Sequence, residues 1–240
     1  MSTLAAKLKK SEFEARIFVS LGIVAVVTLP SLLVFKNTPS LFVIAGALLG
    51  ADAGSAVSWG YGIVAAVLAV CSIFRMWAGS LLTPERVMAF KIQVDKLNTE
   101  GPYRIVRNPI YLADWSAICA FALCLPWVGL VMPVLFYFHY VRIIQYEEVS
   151  LSARYGEAYR EYSEEVPRLL PSPARIAVLP AALREFRLTP SGFRHNALFI
   201  LFVPGMLVAA FTQNFLHALI IGLPGVIDWA VIHTVIGTRK

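Results

Sequence analysis

Long apolar runs are the feature that most constrains how this chain folds. They cover residues 17–35, 41–51, 62–74, 109–140, 197–211 and 216–227. Among their few acids, Asp52 lies at the border of one run and Asp114 lies inside another. A helix needs about 20 largely apolar residues to cross a bilayer, and several runs reach that length with their flanks. The pattern predicts an integral membrane protein that crosses the bilayer several times.

The composition and the breaks between the runs indicate an all-α fold. Hydrophobic residues make up 58% of the 240 positions and charged residues 15%, against about 45–50% and about 25% in an average soluble domain. We predict transmembrane helices at residues 17–35, 39–57, 60–82, 109–125, 127–146, 196–212 and 216–235. Segment 50–55 combines small residues with an acid that is expensive inside a membrane, so it is alternatively re-entrant or broken. The predicted fold is a polytopic transmembrane helical bundle with six or seven spans.

Basic residues cluster in the polar segments between the runs. Of the 21 lysines and arginines, four lie in residues 1–16, five in 83–108, seven in 147–195 and two at the C-terminal end. Such clusters mark the cytoplasmic face and contact anionic lipid headgroups, so we expect membrane lipids and no nucleic acid as partners. If three helices cross the membrane before a cytoplasmic loop at 83–108, the basic N-terminus lies outside, which conflicts with its charge. The conflict disappears if segment 50–55 is re-entrant or broken and only two helices cross. The N-terminal arm mixes acids with its lysines and is expected to be retained rather than cleaved.

The cysteines and histidines show no metal-ligand pattern. Cys71, Cys119 and Cys124 lie inside apolar runs without paired spacing, so we expect neither a disulfide framework nor a metal site. The four histidines are isolated in the sequence and are expected to be packed or interfacial.

A first polar motif stands where a polar loop enters the fourth predicted helix. It reads Gly-Pro-Tyr-Arg-Ile-Val-Arg-Asn-Pro-Ile-Tyr-Leu at residues 101–112. Pro109 suits the first turn of a helix, and Asn108 can cap the free amides. Two explanations stay open: an ordinary cap with Arg107 and Tyr103 at the membrane interface, or an anion site at a helix N-terminus.

A second motif follows the fifth predicted helix. It contains Glu147, Glu148, Leu151, Tyr155, Gly156, Tyr159, Tyr162, Val166, Pro167 and Arg168. The three tyrosines are spaced for one helical face, which would also fit a surface helix in the headgroup belt. Adjacent glutamates near arginines at the mouth of a helical hairpin are also good partners for ribose hydroxyls or a sulfonium cation.

Together the motifs resemble the membrane methyltransferases that include isoprenylcysteine carboxyl methyltransferase and the phospholipid methyltransferases. That family reads Gly-x-Tyr-x-x-x-Arg-His-Pro-x-Tyr, a helical hairpin, Glu-Glu-x-x-Leu, a Tyr-Gly-x-x-Tyr-x-x-Tyr helix and Val-Pro; residues 70–171 are similar, in that order. Arg75, in Arg-Met-Trp-Ala, resembles the family's Arg-x-x-Ala element. The resemblance implies an S-adenosyl-L-methionine-dependent methyltransferase with its active site on the cytoplasmic face. Its methyl acceptor would be lipophilic or lipid-linked.

The resemblance also implies site residues and a division of the chain. The positions expected to bind the cofactor are Arg75, Tyr103, Arg107, Asn108, Pro109, Tyr111, Leu112, Glu147 and Glu148. Those expected to act in catalysis are Arg168, Glu148 and Tyr159. Residues 1–69 would form N-terminal transmembrane helices, 70–171 the methyltransferase core with a small cytoplasmic helical cofactor-binding region, and 172–240 a linker and C-terminal hairpin. No Gly-x-Gly-x-x-Gly signature is present, which agrees with an all-helical cofactor site.

Departures from the family pattern bear on the mechanism. Asn108 stands where the family usually has histidine, and asparagine cannot titrate near neutrality, which disfavours a proton shuttle there. Glu164 and Glu165 precede Val-Pro, where prenylcysteine-type members tend to be basic, so Arg168 is the nearest candidate anchor for an anionic substrate. Phospholipid N-methylation and a non-enzymatic scaffold are the alternatives. Asp114 is expected either to have a functional role in the active site or to form an ion pair with Arg107.

Overall fold

The computed structural model of the chain describes residues 11, 13–82 and 97–238, and every regular element in this part is helical. The helices are α1 Arg16–Leu33, α2 Leu41–Leu48, α3 Ala53–Ser80, α4 Pro109–Leu123, α5 Val131–Tyr155, α6 Glu157–Glu165, α7 Pro173–Ile176, α8 Leu179–Leu183, α9 Pro190–Asn196, α10 Phe202–Thr212 and α11 Phe215–Thr238. Two 3-10 turns, Gly101–Arg104 and Trp127–Leu130, precede α4 and α5. Most of the predicted loop at 83–108 and of the basic N-terminal arm lies outside the described residues.

The second predicted span, at 39–57, is wrong in its bounds. The chain forms the 8-residue α2 and then breaks at Gly50, whose φ is +78°. The next helix begins at Ala53 because Asp52 is extended and its carboxylate accepts a hydrogen bond from the Ser55 amide at 2.9 Å, the geometry of an N-cap. At about 1.5 Å per residue, α2 is too short to cross a bilayer. The break suspected in segment 50–55 is therefore present.

The turns between the helices lie at two opposite ends of the bundle. Before α2 and at its first residue the chain meets the turn between α4 and α5: the rings of Phe35 and Trp127 are 5.9 Å apart, and the Leu41 amide donates to the Leu125 carbonyl at 3.1 Å. At the other end, where the two motifs lie, the ring of Phe13 is 5.1 Å from that of Tyr146. The start of α1 thus lies at the motif end, the same end as the other basic segments. The predicted conflict over the side of the N-terminus is therefore removed.

Three helical stretches of the described chain are long and apolar enough to cross a membrane: α1, α3 and Trp127–Tyr155. Helices α4 and α10 and the stretch Phe215–Asp228 are apolar but shorter. Large apolar side chains remain exposed on these helices, with Trp59 at 76% and Phe211 at 92%. An apolar surface of this extent suits lipid rather than water.

The bounds of the later helices agree in part with the bounds predicted from the sequence. Helix α4 begins at Pro109, as predicted. The fifth predicted span ends at 146, but α5 continues to Tyr155, so the glutamate pair lies inside the helix rather than after it. The sixth predicted span starts at 196, whereas the chain forms α9 there and α10 begins only at Phe202. Helix α5 ends where Gly156 takes a positive φ of +53°.

Helix α3 lies at the centre of the packing and contacts α2, α4, α9 and α10. Leu68 of α3, Ala117 of α4 and Met206 of α10 are fully buried in one apolar cluster. Helix α5 packs against α1 and forms a second cluster that includes Val27 and Ile144. The division at 69/70 falls within the continuous helix α3, and the three-part division of the chain stays a prediction.

Candidate functional site

The first motif forms a compact turn, residues 101–108, which we call the motif turn. Gly101 opens it with a φ of +55°, a conformation that other residues avoid. A Cβ on Gly101 would lie 3.1 Å from the indole nitrogen of Trp77, so glycine also allows the turn to lie against α3. The carbonyl of the buried Tyr103 accepts a hydrogen bond from the Tyr162 hydroxyl at 2.8 Å. The two motifs therefore meet in space, as the resemblance implied.

Arg107 is the main link between the motifs. Its Nη1 donates to the carbonyls of Ser163 at 2.5 Å and Val166 at 3.0 Å, and its backbone amide donates to the Pro167 carbonyl at 2.9 Å. Its Nε and Nη2 donate to Oε1 of Glu148 at 3.2 Å and 2.8 Å. A planar guanidinium with five donors is suited to bonding several acceptors at once.

Glu148 lies between two arginines. Oε1 accepts from Arg107, and Oε2 accepts from Nε of Arg168 at 2.9 Å and lies 2.7 Å from its Nη2. The Arg107 side chain is 11% exposed and that of Arg168 is 43% exposed, so only the second arginine faces solvent. Hydrogen bonding to Glu148 raises the pKa of Arg168 above its ordinary value. Arg168, expected to anchor an anionic substrate, is thus already paired with a carboxylate.

Asn108 precedes α4, but its side chain does not cap the helix, so the ordinary cap, one of the two explanations that the sequence left open, is not present. No hydrogen bond joins its side chain to the first turn of α4. Its Nδ2 instead donates to the carbonyl of Arg168 at 2.9 Å. The asparagine therefore holds the segment that carries Arg168.

Tyr111 and Glu147 form a second pair just inside α4 and α5. The Tyr111 hydroxyl donates to Oε1 of Glu147 at 2.8 Å, and the rings of Tyr111 and Tyr140 are 5.2 Å apart. Leu112 is partly buried and packs between the apolar clusters of α5 and of the motif turn. The structure places these predicted residues together at one end of the α4–α5 hairpin.

Arg75, which was predicted to bind the cofactor, has an acidic partner on α4. It is buried and forms an ion pair with Asp114 on α4. Asp114 therefore pairs with Arg75, and the alternative pairing with Arg107 is wrong. The Nε of Arg75 is buried and makes no hydrogen bond within the described part of the chain. This pair joins α3 to α4 about one helical turn deeper than Tyr111.

The three tyrosines of the second motif do not share one helix. Tyr155 ends α5, Gly156 breaks the chain, and Tyr159 and Tyr162 lie on α6. Tyr159 is buried at 4% exposure beside Glu148, and burial raises the pKa of its hydroxyl well above the ordinary value. The single face inferred from spacing is wrong because it assumed an unbroken helix.

An open cleft of about 430 Å³ lies beside Glu148. Its lining residues are Gln145, Glu148, Val149, Ser152 and Arg168. Sequence reasoning missed Gln145, Val149 and Ser152, although their spacing along α5 places them on the same face as Glu148. Among the predicted site residues, Glu148 and Arg168 line this cleft. Within residues 11, 13–82 and 97–238 no three His, Cys, Asp or Glu side chains are grouped to hold a metal ion.

Comparison with known proteins agrees with the motifs. Residues 59–158 match the family model described as phospholipid methyltransferase. A curated relative, Protein-S-isoprenylcysteine O-methyltransferase B of Arabidopsis thaliana, is 36% identical over 78 residues, which are 32% of this chain and 40% of the relative. The chain thus spans less than half the length of that relative, and no solved structure matches it. The resemblance to the membrane methyltransferases is confirmed for this central part of the chain.

Proposed function

From the match of residues 59–158 to the phospholipid methyltransferase family, we propose that this chain is a membrane methyltransferase that uses S-adenosyl-L-methionine. The observation that carries the proposal is Glu148, whose carboxylate joins Arg107 of the first motif to Arg168 of the second at the edge of the cleft. Three motif residues that are distant in sequence form one charged cluster there. A scaffold protein has no need of such a cluster beside a cleft.

The donor set of the site fits the cofactor. S-adenosyl-L-methionine carries a sulfonium, an ammonium, a carboxylate and ribose hydroxyls, and supplies the methyl group when bound. Glu147 and Glu148 are the anionic groups suited to the cations and hydroxyls, and Arg107, beside Glu148, is a cation suited to the carboxylate.

The chain's own contribution to the reaction is chiefly alignment. Attack on a sulfonium methyl group needs the nucleophile and the methyl carbon in line, and such positioning can supply about 7–11 kcal/mol. Arg107 and Asn108 tie the segment 163–168 to the start of α4 and so keep Arg168 at the cleft. Tyr159 fills the space beside Glu148 and excludes water from its inner side.

The acceptor is lipophilic, with its apolar part in the bilayer and its reacting group at the cleft. The lipid-facing surfaces of the helices reach the motif end, so a lipid-linked group can approach without leaving the membrane. Carboxyl methylation of an isoprenylcysteine-like acceptor is the leading candidate, with Arg168 as its anion anchor. Phospholipid N-methylation is the second, and it is favoured by the pairing of Arg168 with Glu148, which leaves less free positive charge for a carboxylate acceptor.

The active site lies on the cytoplasmic face, where S-adenosyl-L-methionine is made. The support is the concentration of arginines and lysines in 83–108 and 147–195. We propose six crossings, by α1, α3, α4, α5, α10 and α11, a topology that is consistent with both basic segments on one side.

Titration calorimetry of the detergent-solubilised protein with S-adenosyl-L-methionine tests the proposed cofactor. The wild type should bind it, and Glu147→Gln and Glu148→Gln should each weaken binding roughly ten-fold or more, because each removes a charged hydrogen-bond acceptor. Glu157→Gln is the matched control, since Glu157 pairs with Arg160 on the surface of α6 and its substitution should leave binding unchanged. Absence of binding to the wild type would refute the proposed function.

A further inference from the structure

We infer that residues 172–196, here called the strap, are a working part of the site, and that Glu185 is the positioning residue that fixes the motif turn. The strap lies beyond residues 59–158, which match the family, and beyond the resemblance at 70–171. The inference rests on the proposed function, because the motif turn matters only if it forms part of the cofactor site.

Glu185 makes four hydrogen bonds to the motif turn. Its Oε2 accepts from the Gly101 amide at 2.5 Å. The Arg104 Nε donates to both carboxylate oxygens at 3.1 Å and 3.0 Å, and its Nη2 donates to Oε1 at 2.6 Å. The hydrogen bonds from Arg104 and Gly101 lower the pKa of Glu185. The carboxylate therefore fixes the two ends of the 3-10 turn Gly101–Arg104 at the same time.

Apolar contacts hold Glu185 in place. The preceding helix α8 buries Ala182 completely in a cluster with Trp77, Ile105 and Val106. The ring of Phe186 stands edge-on to Trp77, with centroids 5.4 Å apart. The strap thus covers the same indole against which Gly101 packs.

The far part of the strap is fastened to the end of α3. The Thr189 amide donates to Oγ of Ser80 at 3.0 Å, and its hydroxyl accepts from the Gly192 amide to cap α9. A Cβ on Gly79 would lie 1.9 Å from the Asn196 side chain, so α3 and α9 touch closely. Glu185 therefore lies in a segment that is held by contacts both before it, at α8, and after it, at Thr189 and α9.

The motif turn is held from two directions. Tyr162 and Arg107 fix it to α6 and the segment after it, while Glu185 fixes its start to α3 through the strap. Glu185 does not line the cleft, so any effect of Glu185 on the cofactor passes through the position of residues 101–104. Gly101 has a positive φ, and no side chain of its own can restrain it if Glu185 is lost.

The test compares Glu185→Gln and Glu185→Ala in full-length protein in detergent. The affinity for S-adenosyl-L-methionine should fall in the order Glu, Gln, Ala, with the Ala variant roughly three- to five-fold weaker, as expected for a partly exposed ion pair. Glutamine keeps an acceptor for the Gly101 amide but loses the charge for Arg104. Glu157→Ala is the matched control, because Glu157 forms a comparable arginine pair that does not touch the motif turn.

Hydrogen exchange without cofactor gives an independent readout at the motif turn. In Glu185→Ala the amides of Gly101 and of residues 103–106 should exchange faster than in the wild type, while those of α10 should not change. If the wild type binds the cofactor and both Glu185 variants bind it equally well, the inference is wrong and the proposed function stands. If α10 also exchanges faster, Glu185 is a general stability residue, and the inference is likewise refuted.

Discussion

Arg107 combines charge and backbone contacts in one side chain. It bonds two backbone carbonyls and Glu148 while only 11% of its side chain is exposed. Removing Arg107 leaves Oε1 of Glu148 and the two carbonyls without their donor, which is costly in a low-dielectric site, although Oε2 of Glu148 stays paired with Arg168. This residue is therefore expected to contribute to stability as well as to cofactor binding.

We predict that Arg107→Ala lowers the free energy of unfolding by about 3 kcal/mol, measured by denaturant titration in detergent. Arg160→Ala is the control: Arg160 is 67% exposed and pairs with Glu157 on the surface, so its loss should cost about 0–1 kcal/mol. Equal losses in the two variants would show that the contacts of Arg107 are not coupled to folding.

We predict that Arg168→Lys lowers turnover at least several-fold while cofactor affinity stays nearly unchanged. Lysine keeps the charge, but it cannot reproduce the arrangement in which both Nε and Nη2 face Oε2 of Glu148. Initial rates and calorimetry on the same preparation separate the two quantities. Full activity in the lysine variant would remove Arg168 from the site.

Residue pairings were the least predictable part of the site. The sequence correctly indicated that Arg107, Glu148 and Arg168 belong together, because they stand in ordered motifs. It could not indicate that Asn108 bonds the Arg168 carbonyl or that Asp114 pairs with Arg75, since both pairings depend on how α3, α4 and the segment after α6 are placed. Glu185 carried no sequence signal because its partner is 84 positions away.

At the scale of elements, breaks decide where the site residues lie. Gly50 and Asp52 end α2 and begin α3, and Gly156 separates α5 from α6. The start of α4 could be predicted, because Pro109 is a local signal that acts whatever surrounds it. The extension of α5 past 146 could not, because its polar residues suggested a loop although nothing there breaks a helix.

We predict that Gly156→Ala lowers the free energy of unfolding by about 1–2 kcal/mol, measured in detergent. Gly156 has a φ of +53° and a ψ of −120°, where a side chain is strained although no neighbour lies within 4 Å of its Cβ position. Gly62→Ala, inside α3 and equally uncrowded, should cause no loss. An unchanged free energy of unfolding in Gly156→Ala would mean that the break between α5 and α6 is not strained.

At the scale of the whole molecule, the short α2 sets the topology. The chain before α1 lies at the motif end, and the start of α2 lies at the turn between α4 and α5, so α1 runs from the motif end to the opposite end of the bundle. Helix α3 returns to the motif end, where its Trp77 packs against Gly101. The sequence predicted an all-helical membrane bundle but left six and seven spans open. The choice depended on segment 50–55, whose small residues fit both a span and a break.

We predict that a cysteine at position 158 is labelled only from the cytoplasmic side and one at position 37 only from outside. Both substitutions, Ala158→Cys and Asn37→Cys, replace exposed residues at opposite ends of the bundle. They are made in a background that lacks Cys71, Cys119 and Cys124, and a membrane-impermeant maleimide is added to intact cells. Labelling of position 158 in intact cells would show that the motif end faces outside and would contradict the proposed orientation.

Methyl transfer itself is the most direct test of the central claim. The protein in lipid vesicles is incubated with methyl-tritiated S-adenosyl-L-methionine and either a prenylcysteine acceptor or a phosphatidylethanolamine acceptor, and the organic extract is counted. The account predicts that label enters the organic phase with one of these acceptors for the wild type, falls at least ten-fold in Glu148→Gln, and is unchanged in Glu157→Gln. If the label stays in the aqueous phase with both acceptors, even though the protein is folded, the account is contradicted.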